Sequence, residues 1–360
     1  MKTSEGEVRY SVPQVRDTDS AELVAMRERL SGRTEALEAL ALEMYVRGCS
    51  TRDIEALFAA DDGKLLLSRT AVSEITETLW QEYASFAQRD LTEIRPLYLF
   101  LDGLYERLKP GGQTEAILCA WAITWEGKKV LVALAPGTKE SKDCVVDFLR
   151  DLQRRGLHEP VLIITDGAAG LVLGVKECYP KVLRQRCLAH KMRNLLQKVP
   201  VEAQAEMKQA ARAAYQAPSP AMAQALRQDL RARLFKLYPT AVICFEEDFE
   251  ACIAHLHCPP SHRRAIRTTN LLERLFEEDR RRMKPIAVFF GERAVLKLMY
   301  GTLLRAAESW RGLAITDLER EQLTRLWEQL DEGWKPTVAA VVEKHQPSPT
   351  PHRVPTKKRP

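Results

Sequence analysis

No stretch of the 360-residue sequence approaches the roughly 18 consecutive apolar residues of a membrane-crossing helix, and the opening MKTSEGEVRY lacks the apolar centre of a signal peptide. A cytosolic protein is the expectation. The eight cysteines, at positions 49, 119, 144, 178, 187, 244, 252 and 258, include no Cys-x-x-Cys pair. A chain of this length needs no disulfide framework, so most are expected to be reduced, small core residues. Net charge is scarce too: 54 Lys plus Arg face 49 Asp plus Glu, giving +5. Of this, +4 sits in the tail QPSPTPHRVPTKKRP (346–360), where Arg353, Lys357, Lys358 and Arg359 stand without an acid. The body is therefore close to neutral, and only a local concentration of charge can point to a nucleic-acid partner. No internal repeat is visible. What the chain does have is ordinary globular composition, 45% hydrophobic and 29% charged, in a length that suits two or three structural units.

Residues 36–90 read as helical. Leu37, Leu40, Ala41 and Met44 share one helix face, Arg47-Gly48 breaks the helix, and Ser50 with Asp53 caps a second one carrying Ile54, Leu57 and Phe58. A third helix near Thr70 places Val72, Ile75 and Leu79 on one face and Arg69, Thr70, Ser73 and Glu77 on the other. This succession suits a helix-turn-helix reader of DNA, with Arg69, Thr70 and Ser73 as contacts, or equally a small helical subdomain. Glu74 and Glu77 sit poorly beside phosphates. From residue 96 the period changes: LYLFLDG (97–103), AILCAWAITW (116–125) and VLVALA (130–135) are strand-length runs joined by short turns, hence an antiparallel meander. The helical stretch 141–156 then crosses over to another buried strand, VLIITDG (161–167). A mixed α/β sheet follows, with an inserted helical region at 200–262, amphipathic helix at 268–310 and a helix at 317–345. The Pro-rich tail is expected to be disordered.

Two of these strands end alike, in Asp102-Gly103 and Asp166-Gly167. Carboxylates at the carboxyl ends of buried strands lie where α/β sheets bind ligands, and two on neighbouring strands can share a divalent cation. Alternatively, each caps the turn that follows it. Glu273, within RTTNLLERLFEEDRRRMK (267–284), is a third acid; Asn270 with Glu273 also fits a capping box, and Glu277 with Arg280 a helix-surface pair. The segment 181–198 holds six basic residues and no acid, a phosphate-binding strip or a solvated helix face. Cys187-x-x-His190 within it makes half a zinc site at most. The irregularly spaced Cys252, His255, His257, Cys258 and His262 read as structural.

Taken together, MYVRGCSTRDIEALF (44–58), LFLDGLYERL (99–108), ESKDCVVDFLRDLQRRGL (140–157), ITDGAAGLVLGVKECYPKVLRQRCLAHKMRN (164–194), YPTAV (238–242) and IRTTNLLERLFEEDRRRMKPIAVF (266–289) resemble the Mutator-like bacterial insertion-sequence transposases. The resemblance covers about 250 residues in the family's order. It implies a ribonuclease H-like α/β fold preceded by a helix-turn-helix-like region, and a DDE triad at Asp102, Asp166 and Glu273. Cys187 and His190 match the family's Cys-x-x-His element, with Leu188-Ala189 where an aromatic residue is frequent. The implied mechanism is two-metal phosphoryl transfer, Asp102 bridging two Mg²⁺ ions (Mn²⁺ as substitute) and Asp166 and Glu273 each completing one site. Implied partners are double-stranded DNA, as terminal inverted repeats and target, and further copies of the chain in a dimer or larger synaptic complex. Phosphate contacts are expected from Arg184, Arg186, Lys191 and Arg193 and from Arg274, Arg281 and Arg282. The expected organisation is an N-terminal arm (1–30), a DNA-binding region (31–92), a catalytic core (93–199 and 263–315) split by the insertion (200–262), a C-terminal helix (316–345) and the tail (346–360). A regulator that binds element ends without cutting them is the rival reading, as is, more weakly, a zinc-dependent nucleic-acid enzyme.

Overall fold

The computed structural model describes residues 2–4, 6–8, 33–59, 65–107, 114–137, 141–269, 276–277, 281, 292–308 and 311–344. A short ribbon pairs β1 (Lys2–Thr3) with β2 (Gly6–Glu7). Three helices follow: α1 (Glu35–Val46), α2 (Thr51–Leu57) and α3 (Arg69–Gln88). Thr34, Ser50 and Ser68 cap their starts, and Ser50 with Asp53 forms the reciprocal capping box expected from the spacing. Between α1 and α2, Gly48 takes φ +98°, a left-handed conformation that costs glycine little. The α1 face is rotated from the one expected: Leu37, Ala41, Tyr45 and Val46 are buried while Leu40 is 41% exposed. The link from α2 to α3 runs well beyond the short turn of a helix-turn-helix.

The central sheet contains β3 (Pro96–Arg107), β4 (Thr114–Thr124), β5 (Lys129–Gly137), β6 (Leu162–Thr165) and β7 (Leu183–Arg186), in the order β5-β4-β3-β6-β7. The first three form the antiparallel meander, while β6 lies parallel to β3 and β7 parallel to β6. This mixed order is compatible with a ribonuclease H-like fold. The β5-to-β6 crossover is α4 (Lys142–Arg154), which buries Val145, Phe148, Leu149 and Leu152, and α5 (Ala169–Cys178) carries the chain from β6 to β7. Strand β7 is absent from the sequence expectations, since LRQR has one apolar residue and lies inside a basic stretch.

Strand alternation divides the core in two. Leu99, Leu101 and Ile163 pack with α4 and α5, whereas Tyr98, Phe100, Leu162 and Ile164 pack on the opposite face in one cluster with Leu37, Ile54, Val72, Ile75, Leu79 and Phe86. Helix α12 (Glu292–Glu308) joins that cluster through Val295, Met299 and Leu303. The amino-terminal helices therefore share a hydrophobic core with the sheet, and the Tyr83 hydroxyl donates to the Leu134 carbonyl at 3.0 Å.

After β7 come α6 (Leu188–Leu196), α7 (Val201–Tyr215), α8 (Pro220–Leu234), α9 (Pro239–Glu246), α10 (Phe249–Ile253), a 3₁₀ turn (Ala254–His257) and α11 (Pro260–Ile266). Met207, Ala211, Tyr215, Leu230, Val242, Phe245 and Phe249 form a core of their own with Leu195 of α6. Helix α13 (Asp317–Lys344) follows. Among the described residues, no helix is long and apolar enough to cross a membrane.

Candidate active site

Asp102 continues the row of Tyr98 and Phe100, and Asp166 that of Leu162 and Ile164, so alternation sends both to the same face of the sheet. Leu101 pairs with Thr165. The next residue along each chain is the aspartate, which brings the two carboxylates abreast on strands about 4.8 Å apart. Asp166 directly follows β6, whereas Asp102 lies inside β3, which runs on past Gly103 to Arg107 because β4 pairs with it there, so the strand end expected at Asp102-Gly103 is not one. Asp102 is only 6% exposed. Its Oδ1 accepts the Gly103 N–H at 2.9 Å, and Asp166 Oδ1 accepts the Ala168 N–H at 2.8 Å, shaping the turn into α5. The turn-capping role therefore holds for one oxygen of Asp166, while Asp102, with its strand continuing past it, caps no turn; among the described residues no donor engages the second oxygen of either carboxylate. Burial, and then the charge of Asp166, hold the Asp102 carboxyl well above the usual carboxylate range, against opposing pulls from the Gly103 N–H and His190. A divalent cation relieves both causes at once, and two carboxylate donors suit a hard one such as Mg²⁺.

Gly167 follows with φ +94°, and a Cβ there would stand 2.7 Å from Cζ of Arg186. Only glycine lets the Asp166 turn pass this close to the guanidinium.

The third strand brings in Cys187. Arg186 pairs with Thr165, so Cys187 falls beside Asp166, and its N–H donates to the Thr165 carbonyl at 2.7 Å. The buried Sγ accepts the Thr269 N–H at 3.3 Å, while the Leu188 N–H donates to the Arg267 carbonyl at 2.9 Å. Burial alone raises the Cys187 thiol; hydrogen bonds with His190 and Thr269 outweigh it and bring the thiol below its ordinary value. Cys187 thus fastens the chain four residues before Glu273 to the strand ends. Glu273 itself, with Arg274 and Arg282, lies outside the described residues; Arg281 is exposed. Two of the three expected carboxylates are therefore placed together. Among the described residues, no three His, Cys, Asp or Glu side chains gather to hold a metal ion, so Cys187 and His190 acquire no further zinc ligand.

The basic strip differs from expectation. Arg184 and Arg186 both reach Asp248, at 2.8 and 3.3 Å, with side chains 10% and 11% exposed. The wholly buried Lys191 donates to the Glu247 carbonyl at 2.6 Å. These three cations are spent inside the protein, because the chain at Glu247, Asp248 and α10 folds against the edge strand β7 and the start of α6; Arg193 alone of the four is exposed. At α3, Arg69, Thr70 and Ser73 are exposed, with Arg69 paired to Glu55 at 3.1 Å. Glu74 pairs with Arg33, and Glu77 with Arg293 and Lys297, which neutralises the two acids that sat poorly near phosphates.

Four members of the Cys252–His262 group are buried and His257 is exposed. His255 Nδ1 lies 3.0 Å from Gln185 Oε1, His262 Nδ1 lies 2.7 Å from the Tyr98 hydroxyl, and burial pushes the Cys252 and Cys258 thiols up to about 11 and about 12.

Comparison with known proteins bears directly on this arrangement. The chain is 33% identical over 315 residues to the transposase for insertion sequence element ISRM5 of Rhizobium meliloti (strain 1021), covering 86% of this chain and 77% of that one. It is 33% identical over 250 residues to the transposase for insertion sequence element IST2 of Acidithiobacillus ferrooxidans, covering 69% and 84%. To the transposase for insertion sequence element IS256 in transposon Tn4001 of Staphylococcus aureus it is 28% identical over 312 residues, covering 86% and 79%. The family described as Transposase, Mutator family, matches residues 1–312. With two aspartates abreast on adjacent strands and this family match across most of its length, the chain belongs to the Mutator family of transposases.

Proposed function

We propose that the protein cleaves DNA at the ends of an insertion-sequence element and joins the freed ends to target DNA, with Asp102, Asp166 and Glu273 as a DDE triad. The observation that carries this reading is the pairing of Asp102 and Asp166 on one face of two adjacent parallel strands, in a chain of this family. Mg²⁺ or Mn²⁺ held by these carboxylates supplies an activated oxygen nucleophile and charge neutralisation at the leaving oxygen.

The chain's own residues do the rest. Asp102 and Asp166 stand on the same face of adjacent strands, each steadied by a local backbone N–H. The low exposure of Asp102 keeps water from screening it, so its charge acts at full strength on a bound cation. Cys187 secures the approach of the segment carrying Glu273 through the Thr269 N–H. The exposed start of α3, with Thr70 and Ser73, is the surface assigned to reading terminal inverted repeats. Synapsis of two element ends requires two or more copies of the chain.

The test is a cleavage and joining assay on labelled element ends with Mg²⁺ or Mn²⁺, comparing wild type with Asp102→Asn, Asp166→Asn and Glu273→Gln. Each variant is expected to bind the ends yet lose about 10²- to 10³-fold in cleavage rate, the scale of removing a group that acts on developing charge. Variants that cut as well as wild type would reject the triad. A wild type that binds ends and never cuts makes the protein a regulator instead.

A further inference from the structure

Three arginines come together where the helical insertion meets α11. Arg264 lies in the last turn of α11 and Arg267 caps its end, while Arg212 occupies the last turn of α7. The Arg267 Nη1 donates to Oε1 of Gln216, the residue that caps α7 one turn beyond Arg212, at 2.8 Å. That bond draws the two helix ends together. Arg212 and Arg264 are exposed and Arg267 is partly so, and burial together with the charges of Arg264 and Arg212 bears on the Arg267 guanidinium. No ion pair links any of the three to a carboxylate among the described residues. Elsewhere on the insertion the pattern is opposite: Arg227 and Arg231 pair with Glu246, and Arg233 with Glu206 and Asp229.

The convergence is also braced. Arg263 donates to the carbonyls of Cys258, Leu256 and Pro218, at 3.0, 2.7 and 2.8 Å, which pins the α7–α8 turn to α11. Like charges held together by a rigid frame repel unless an anion lies between them. The position of the group names that anion. The Arg267 carbonyl accepts the N–H of Leu188, whose neighbour Cys187 stands beside Asp166. The cluster is thereby joined through its backbone to the chain beside Asp166, and its exposed arginines are open to a DNA strand that reaches the carboxylates.

We propose that Arg212, Arg264 and Arg267 form a phosphate-binding site for the DNA backbone leading into the carboxylate pair. They take over the role that the interior Arg184, Arg186 and Lys191 do not fill. The inference rests on the transposase reading and assigns part of its DNA surface.

The experiment measures the dissociation constant of the full chain for a labelled mixed-sequence duplex across a series of NaCl concentrations. Each phosphate contact contributes about 0.9 to the slope of log affinity against log salt. The triple Arg→Ala variant at positions 212, 264 and 267 is expected to lose about 2 to 3 from that slope, and each single variant about 0.9. The triple Arg→Lys variant retains most of the slope, since it keeps the charges. Arg233→Ala, at an arginine already paired with two carboxylates, stays within about 0.3 of the wild-type slope. The single variants, checked by thermal unfolding, carry the test if the triple Ala variant does not fold. Ala variants that fold with wild-type slope and affinity overturn the assignment and leave the transposase reading standing. Lys variants as impaired as the Ala variants overturn it too, by showing the loss to be structural. A wild-type protein that binds no duplex at any salt overturns both.

Discussion

Asp102 and Asp166 illustrate how a single side chain is set by what its neighbours do to its charge. Burial comes first and the adjacent carboxylate second in raising the Asp102 carboxyl. A group whose folded value lies above its unfolded one contributes stability that is complete below the unfolded value and is lost as pH rises through the folded value. Without divalent ions, the wild-type melting temperature is accordingly expected to fall with rising pH through that window. Asp102→Asn, which cannot ionise, lacks this component of the fall and melts higher than wild type at neutral pH. Added Mg²⁺ raises the melting temperature of wild type and not of Asp102→Asn. Differential scanning calorimetry across pH, with and without Mg²⁺, checks all three, and a variant that melts lower at neutral pH contradicts the charge argument. Cys187 poses a different single-residue question. Cys187→Ala leaves the buried Thr269 N–H without its acceptor, at a cost of about 1–3 kcal/mol, while Cys187→Ser restores an acceptor and part of that loss. Chemical denaturation gives the stabilities, and amide exchange at Thr269, faster in the Ala variant than in the Ser variant, locates the effect.

Among the elements, the apolar strands were readable from composition alone. The three runs of the meander and the strand before Asp166 are largely apolar stretches of Leu, Ile, Ala and Val with a few aromatic residues, and a buried strand needs little else. Strand β7 was not readable, because its polar side chains are satisfied by partners 62 to 70 residues away: Asp248 for Arg186, Cys252 and His255 for Gln185. Such satisfaction is a property of the folded chain. It predicts that Asp248→Ala, which strands two largely buried guanidiniums, destabilises the protein by about 3 kcal/mol while leaving the salt slope of DNA binding unchanged. Urea unfolding and DNA titration measure the two separately. The same docking of insertion on strand carries a pH dependence. Burial, then the Arg263 and Arg267 charges, lower the His255 imidazole to about 4. A histidine depressed below its unfolded value contributes stability that is present above about 6.5 and is lost as pH falls toward about 4, here about 3 kcal/mol in all. Stability of wild type is expected to drop between these values, and that of His255→Gln to drop less; equal slopes in urea titrations run at successive pH values would count against the assignment.

For the molecule as a whole, the amino-terminal helices are part of the sheet's own core. Leu37, Ile54, Val72 and Leu79 pack in one cluster with Tyr98, Phe100 and Trp121, and Tyr83 bonds to β5. Residues 33–344 are accordingly expected to unfold with the α1–α3 region and the sheet in one transition. A fragment starting at residue 93 exposes that face and should lose cooperative unfolding and aggregate, as calorimetry and light scattering would report. A fragment that folds by itself would show instead that α1–α3 is separable.

The sequence alone determined the elements whose signal is local: apolar strands, capped helices and the strand end before Asp166-Gly167, because burial and hydrogen bonding within a few residues dictate them; the strand end it suggested at Asp102-Gly103 was overridden by the pairing of β3 with β4 out to Arg107. The tertiary structure alone decided which charges face solvent. Arg184, Arg186 and Lys191 look like a phosphate strip in sequence and are neutralised inside, whereas Arg212, Arg264 and Arg267 come together with no ion-pair partner among the described residues. The reason is physical: the partner of a charge is set by which distant segments fold against it, and the near-neutral total carries no trace of that choice.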